Sequence, residues 1–258
     1  MRAIWSGAIG FGLVNIPIKI YSAIESSNLE LHLVDKKNHA GIRYMRVNES
    51  TGKEVEWDNI VKGYDYNGSL VELTDEDFET ASPEKSKVIN INEFVKEEVI
   101  DSMYMDTPYY LEPQKNGEKP YVLLHKALSD TKKVALGTFV MRTKENFCML
   151  KAIEGNMIIL VKLRFPEEIR ATDSINLPSR TTVKADELKM AKALIEQLSP
   201  KKFSIDKYKD TYADALMDVI KKKAKGQKVK QPKFKISRSA KSDLMEQLKE
   251  SLKNKKAS

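Results

Sequence analysis

Apolar and polar positions alternate most clearly at the start of the chain. In AIWSGAIGFGLVNIPIKIYSA, residues 3–23, Val14, Ile16, Ile18 and Ile20 recur at every second position, and all four are β-branched. Side chains on a strand alternate between faces, so this spacing predicts a half-buried strand and not a helix. Gly7, Gly10 and Gly12 punctuate the run. A dinucleotide-binding loop reads G-x-G-x-x-G and opens a helix whose N-terminus holds the phosphate. Here the order is G-x-x-G-x-G, and it leads into Pro17 and more strand sequence. The prediction is two strands with glycines at a turn, a bulge or a sharp bend, and Pro17 on an edge or at a bulge.

Short strand patterns continue through residues 25–70, with turn signals at Asn38–Gly41, Thr51-Gly52 and Asn67-Gly68. LTDEDFE, residues 73–79, reads as a helix start with Thr74 as N-cap and Asp77 three residues on. Residues 86–112 mix strand alternation with turns, and PYVLLHKALSD, residues 120–130, has helical spacing. Three strand-like runs come next: VALGTFVMR, NFCMLKAI and NMIILVKLRF. Short polar connections predict an antiparallel meander. On it Arg142 and Lys144 are expected to share one face, as are Lys162 and Arg164.

After Pro178 the period becomes helical. Leu188, Ala191, Ile195 and Leu198 form one stripe, with Asp186 and Glu187 near its start. A second helix is predicted from about Asp206 to Lys223, with Tyr208, Tyr212, Leu216, Val219 and Ile220 on one side. Residues 221–235 contain no acid and eight lysines: Lys221, Lys222, Lys223, Lys225, Lys228, Lys230, Lys233 and Lys235. That composition predicts a disordered linker. A last short helix, SDLMEQLKESL, has Ser242 or Asp243 as cap and an apolar stripe of Leu244, Met245, Leu248 and Leu252. Beyond such a linker it has no core of its own to join, so the stripe is expected to dock into a partner's groove.

Charge sharpens this division. Residues 1–185 carry 24 Lys+Arg against 27 Asp+Glu, whereas residues 186–258 carry 20 against 10. The whole basic excess, +7 over 258 residues, therefore lies in the last part of the chain. A basic tail points to nucleic acid more than to a membrane, since no basic amphipathic helix carries bulky aromatics. There is no apolar run of about 18 residues that would span a bilayer. Cys148 is the single cysteine, which excludes an intrachain disulfide and a cysteine zinc cage. With no signal-like leader expected, the cytoplasm and its nucleoid are the expected compartment.

The motifs of common enzymes are missing. Gly63 to Gly68 has P-loop glycine spacing, but Ser69 stands where Lys is required. His32, His39 and His125 form no metal-binding pair, and there is no G-x-S-x-G elbow. Asp75, Glu76 and Asp77 offer a nuclease-type metal site, although carboxylates also suit a helix N-terminus for electrostatic reasons alone. A non-enzymatic binding protein is the expectation, with no cofactor and no metal. The alternatives are a metal-dependent nuclease using Asp75 and Asp77, or a sequence-reading regulator.

GFGLVNIPIKIYSA resembles the opening of the bacterial Ku proteins of non-homologous end joining. SPEKSKVININEFV, MDTPYYLEP, KPYVLLHKAL, RFPEEIR, ELKMAKALIEQL and KYKDTYADAL come in the order of that family, and SDLMEQLKESL is similar to its ligase-contacting end. The likeness covers nearly the whole chain. It implies a mixed β/α protein: a Ku-type β-barrel core over residues 1–185 with an inserted bridge at about 25–90. A helical C-terminal arm over 186–225 and a basic linker with terminal helix over 226–258 complete it. It also implies a homodimeric ring around linear double-stranded DNA ends, bound without sequence preference, and recruitment of the ATP-dependent ligase D. Many relatives carry a Cys-x-x-Cys pair in the bridge; here Asn48 and Thr51 hold those places, and neither is a zinc thiolate.

Sequence-blind binding requires phosphate contacts. The candidates are Lys36, Lys37, Arg43, Arg46, Lys53 and Lys62 in the bridge, Arg142, Lys144, Lys162 and Arg164 on the meander, and the eight tail lysines. Leu244, Met245, Leu248 and Leu252 are the candidate ligase contacts.

Overall fold

The computed structural model describes residues 1–81, 87–178, 181–229 and 244–254. It divides into two compact units, Met1–Ser26 with Leu31–Ala171, and Ser27–Glu30 with Thr172–Ser258.

The N-terminal alternation forms a hairpin of β1 (Trp5–Phe11) and β2 (Val14–Ser22). Gly12, at φ +59°, makes its turn, a conformation that glycine adopts without steric cost. Ile16, Ile18 and Ile20 are fully buried, as their alternation predicts. β2 also pairs with β6 (Met105–Pro113), from Ile18↔Pro113 onward. Pro17 thus lies one residue beyond that ladder, where its missing N–H deprives no strand of a donor.

Five more strands complete a closed barrel in the order β1-β2-β6-β9-β8-β7-β5. These are β5 (Val88–Lys96), β6, β7 (Lys133–Met141), β8 (Lys144–Ile153) and β9 (Met157–Leu163). The last three form the expected antiparallel meander. Closure comes from a short parallel pairing of β1 with β5, Ala8↔Val88, Ile9↔Ile89 and Gly10↔Asn90. The glycines permit it. A Cβ on Gly7 would fall 2.2 Å from the Lys87 carbonyl oxygen, and one on Gly137 of β7 would fall 2.2 Å from that of Asn90. Both neighbours of β5 therefore carry glycine where they press closest.

Helix α2 (Glu118–Thr131) brings Tyr121, Leu124 and Leu128 into the interior cluster with Ile9, Ile18, Leu111, Leu150 and Leu160. The Tyr121 hydroxyl donates to the Leu111 carbonyl at 2.8 Å and accepts from the Ile158 amide at 2.7 Å. It ties β6 to β9, and burial raises its pKa. Cys148, buried in the same cluster, has its thiol pushed up by desolvation. The other face of β7 to β9 is also covered. Val134, Leu136, Met149, Val161 and Leu163 pack with Val95, Ile100 and Met105.

The chain between β2 and β5 forms the bridge. It holds the hairpin β3 (Lys62–Tyr66) and β4 (Ser69–Leu73), turning at Asn67 and Gly68, and then α1 (Asp75–Ala81). Val88 to Asn90, expected at the end of the bridge, belong to the barrel. Thr74 and Asp77 cap α1 reciprocally, and those hydrogen bonds hold the Asp77 carboxyl below the usual range. No residue from 23 to 81 is buried.

The second unit holds α3 (Ala185–Leu198), α4 (Thr211–Ala224) and α5 (Leu244–Asn254). α4 starts at Thr211, later than the predicted Asp206, because Asp210 caps the Tyr212 and Ala213 amides and accepts from Ser27 at 3.1 Å. These bonds lower its pKa. Tyr208 accordingly lies outside the helix whose stripe it was expected to join. Lys221, Lys222 and Lys223, which the predicted helix and the predicted linker both claimed, form the last turn of α4, where cations offset the helix dipole. α5 does have a support: it lies against α3, with Gln197 Nε2 donating to the Leu252 carbonyl at 3.5 Å. The expected caps Ser242 and Asp243 are outside the described residues.

Gly137→Ala forces a Cβ against backbone, and overpacking of this kind costs about 1–3 kcal/mol. Gly41→Ala meets open space and is expected to stay within about 0.5 kcal/mol of wild type. Urea unfolding of both variants checks the contrast.

Candidate nucleic-acid interface

The bridge presents its cations in two ways. Lys36 and Lys37 sit in a tight turn in which the Asp35 amide donates to the Ala40 carbonyl and the Asp35 carboxylate accepts from the Lys37 amide, both at 2.8 Å. Lys53 comes just after a second such turn, and Arg43 lies on the chain between the two. All four side chains are exposed, and none makes an ion pair among the described residues. Arg46 and Lys62 are steadied by aromatic faces instead. The Arg46 guanidinium lies 4.3 Å from the Trp57 ring centre, and Lys62 Nζ lies 4.3 Å from that of Phe78. A cation–π contact orients the head group without neutralising it.

The second turn holds Asn48 and Thr51. Asn48 Oδ1 accepts from the Ser50 and Thr51 amides, each at 3.0 Å, and the Gly52 amide donates to the Asn48 carbonyl at 2.8 Å. The amide side chain closes the turn by hydrogen bonding alone.

The barrel cations are differently placed. Arg142 is not on the Lys144 face: at φ +63° it forms the β7–β8 turn, because a two-residue hairpin loop requires left-handed backbone. Lys144 lies 3.7 Å from Glu168. Lys162 and Arg164 both reach Asp106, at 3.6 and 3.4 Å, and Arg164 lies just past the end of β9. Their common acid halves the charge they offer. No spacing foretells this triplet, because Asp106 comes from β6, whose ladder with β9 brings it alongside.

In the tail, Lys221, Lys222 and Lys223 are helical, Lys225 closes α4 and Lys228 is exposed. Lys230, Lys233 and Lys235 fall outside the described residues. Of the ligase-contact candidates, Leu244 is exposed, while Met245, Leu248 and Leu252 are half-buried on a helix that lies against α3. Among the described residues no three His, Cys, Asp or Glu side chains are grouped to hold a metal, and Asp77 is committed to Thr74. No described helix is long and apolar enough to cross a membrane.

Comparison with known proteins agrees with this geometry. The Ku70/Ku80 beta-barrel domain family matches residues 10–190. A non-homologous end joining protein Ku from Pseudomonas aeruginosa is 40% identical over 231 residues, which cover 88% of this chain and 78% of that protein. Its namesake from Bacillus subtilis is 38% identical, covering 86% and 72%, and the one from Archaeoglobus fulgidus is 38% identical, covering 89% and 90%. A closed barrel with a long exposed insertion, a family match across that barrel and relatives of this identity lead to one conclusion: the chain belongs to the Ku family of non-homologous end joining proteins.

Proposed function

We propose that two copies of this chain form a ring that threads onto double-stranded DNA ends without regard to sequence, retains them, and presents them to the ATP-dependent ligase D. The chain supplies no catalysis in this reading. The observation that carries it is the state of the bridge. Its 23–81 segment buries no side chain, yet exposes Tyr44 at 84%, Leu70 at 79% and Trp57 at 66%. Apolar surface on this scale calls for a cover, and a second copy supplies it in a family whose likeness implies a ring. The same segment offers Lys36, Lys37, Arg43 and Lys53 without competing carboxylates, which suits contact with phosphate. Lys144, Lys162 and Arg164 must first exchange an acid partner, a small cost for half-exposed pairs.

Threading requires a free end. Linear duplex binds, and a covalently closed circle of the same sequence does not; equal affinity at one salt concentration would overturn the ring. With Arg43→Ala and Lys53→Ala together, the log–log salt slope falls by about 0.9 for each lost contact, equally for all sequences.

The dimer is tested by Tyr44→Asp with Leu70→Asp. Sedimentation of the wild type gives twice the 29.4 kDa chain mass, and the variant sediments as a monomer.

Ligase contact is assigned to α5, which leaves α3 to engage its partner. Leu244→Ala with Leu248→Ala abolishes ligase stimulation and preserves DNA-end binding. Loss of thermal stability with unchanged ligase affinity, measured by calorimetric titration, assigns the stripe to α3 instead.

A further inference from the structure

One end of the barrel holds a cleft that the DNA reading does not use. Its volume is about 860 Å³, within the size range of small-molecule sites. The C-terminal half of α2, the end of β5, the start of β7 and the β8–β9 turn line it. Lysines converge here from separate elements. Lys96 and Lys133 are directly opposed in the β5–β7 register, and like charges so placed are destabilising. Lys132 stands next to them, in a left-handed conformation that ends α2. None of these three makes an ion pair among the described residues. Lys151 also lines the cleft and is neutralised by Glu97 at 2.6 Å. Glu98 and Glu154 also line the cleft, exposed and in no ion pair with any of the lysines.

A second, independent feature lies in the same wall. His125 is only 8% exposed, and its Nε2 sits 2.9 Å from the Ile153 carbonyl oxygen. That nitrogen therefore carries the ring proton, and Nδ1 is left with a lone pair. Nδ1 is buried and has no hydrogen-bond partner. A buried polar atom without a partner is costly, and a bound group is one way of satisfying it.

We infer that this cleft binds a small oligophosphate. Several negative charges on one small ligand relieve the repulsion among Lys96, Lys132 and Lys133 together, which a single carboxylate cannot. The inference is separate from the ring and from the bridge cations.

The test is calorimetric titration of the full-length protein with sodium tripolyphosphate, at ionic strength held constant with sodium chloride, beside thermal melts. The expected result is saturable binding with a rise of several degrees in melting temperature. Lys96→Gln with Lys133→Gln weakens binding at least tenfold. It does not lower the melting temperature of the free protein, because it removes an opposed like-charge pair. Lys119→Gln with Lys126→Gln, on α2 away from the cleft, leaves affinity unchanged. Non-saturating heats, a shift that chloride reproduces, or equal affinity in the Lys96/Lys133 variant overturns the site. Displacement of tripolyphosphate by a 5′-phosphorylated duplex, but not by its dephosphorylated form, overturns the small-molecule assignment in favour of a DNA end.

Discussion

The whole first unit depends on a narrow seam. Three residue pairs join β1 to β5 in parallel, and without them the sheet has two open edges where it now has none. The seam also sets the topology. The bridge leaves after β2 and returns beside β1, so a long excursion is anchored at neighbouring strands. Gly7 and Gly137 allow β5 to be pressed between its neighbours with backbone approaches that no Cβ would tolerate. α2 then fills the interior, and the Tyr121 hydroxyl satisfies one carbonyl and one amide that the barrel would otherwise leave buried and unpaired.

Rigidity and openness are distributed unequally over this frame. β7 to β9 are buried on both faces, by the interior cluster and by the cluster around Val95, Ile100 and Met105. The bridge buries no side chain over residues 23–81 and is organised there by local hydrogen bonds: the Asp35 and Asn48 turns, the Asn67-Gly68 hairpin and the Thr74–Asp77 cap. Turns of this kind hold their shape without a core because each side chain satisfies a nearby amide. That suits a segment proposed to meet DNA and a second subunit. Its lysines need no carboxylate to be held, so their charge remains free for phosphate.

The terminal helix shows the same economy in the second unit. A helix of 11 residues is marginal in water by itself. Lying on α3, it half-covers Met245, Leu248 and Leu252 while Leu244 stays exposed. A stripe half-covered in this way exposes less apolar surface than the same helix would alone.

Local patterns were legible in the residues themselves. The two-residue period of Val14 to Ile20 marks β2, the Thr74–Asp77 spacing marks the α1 cap, and the polar breaks around residues 142 and 155 mark the meander. The order of segments from GFGLVNIPIKIYSA to SDLMEQLKESL carries the family. Each of these depends on contacts between residues a few positions apart, which the sequence displays directly. Asp210 was also there to be read as a cap, but the apolar spacing of Tyr208 and Tyr212 masked it. What only the tertiary structure decided are the meetings of distant residues. Asp106 draws off the charge of Lys162 and Arg164, Lys96 faces Lys133, α5 finds α3, and the glycines of β1 and β7 turn out to serve β5. Such meetings are set by barrel register and helix packing. A one-residue shift in a ladder reverses which side chains face each other, and no pattern along the chain records which strands will be neighbours.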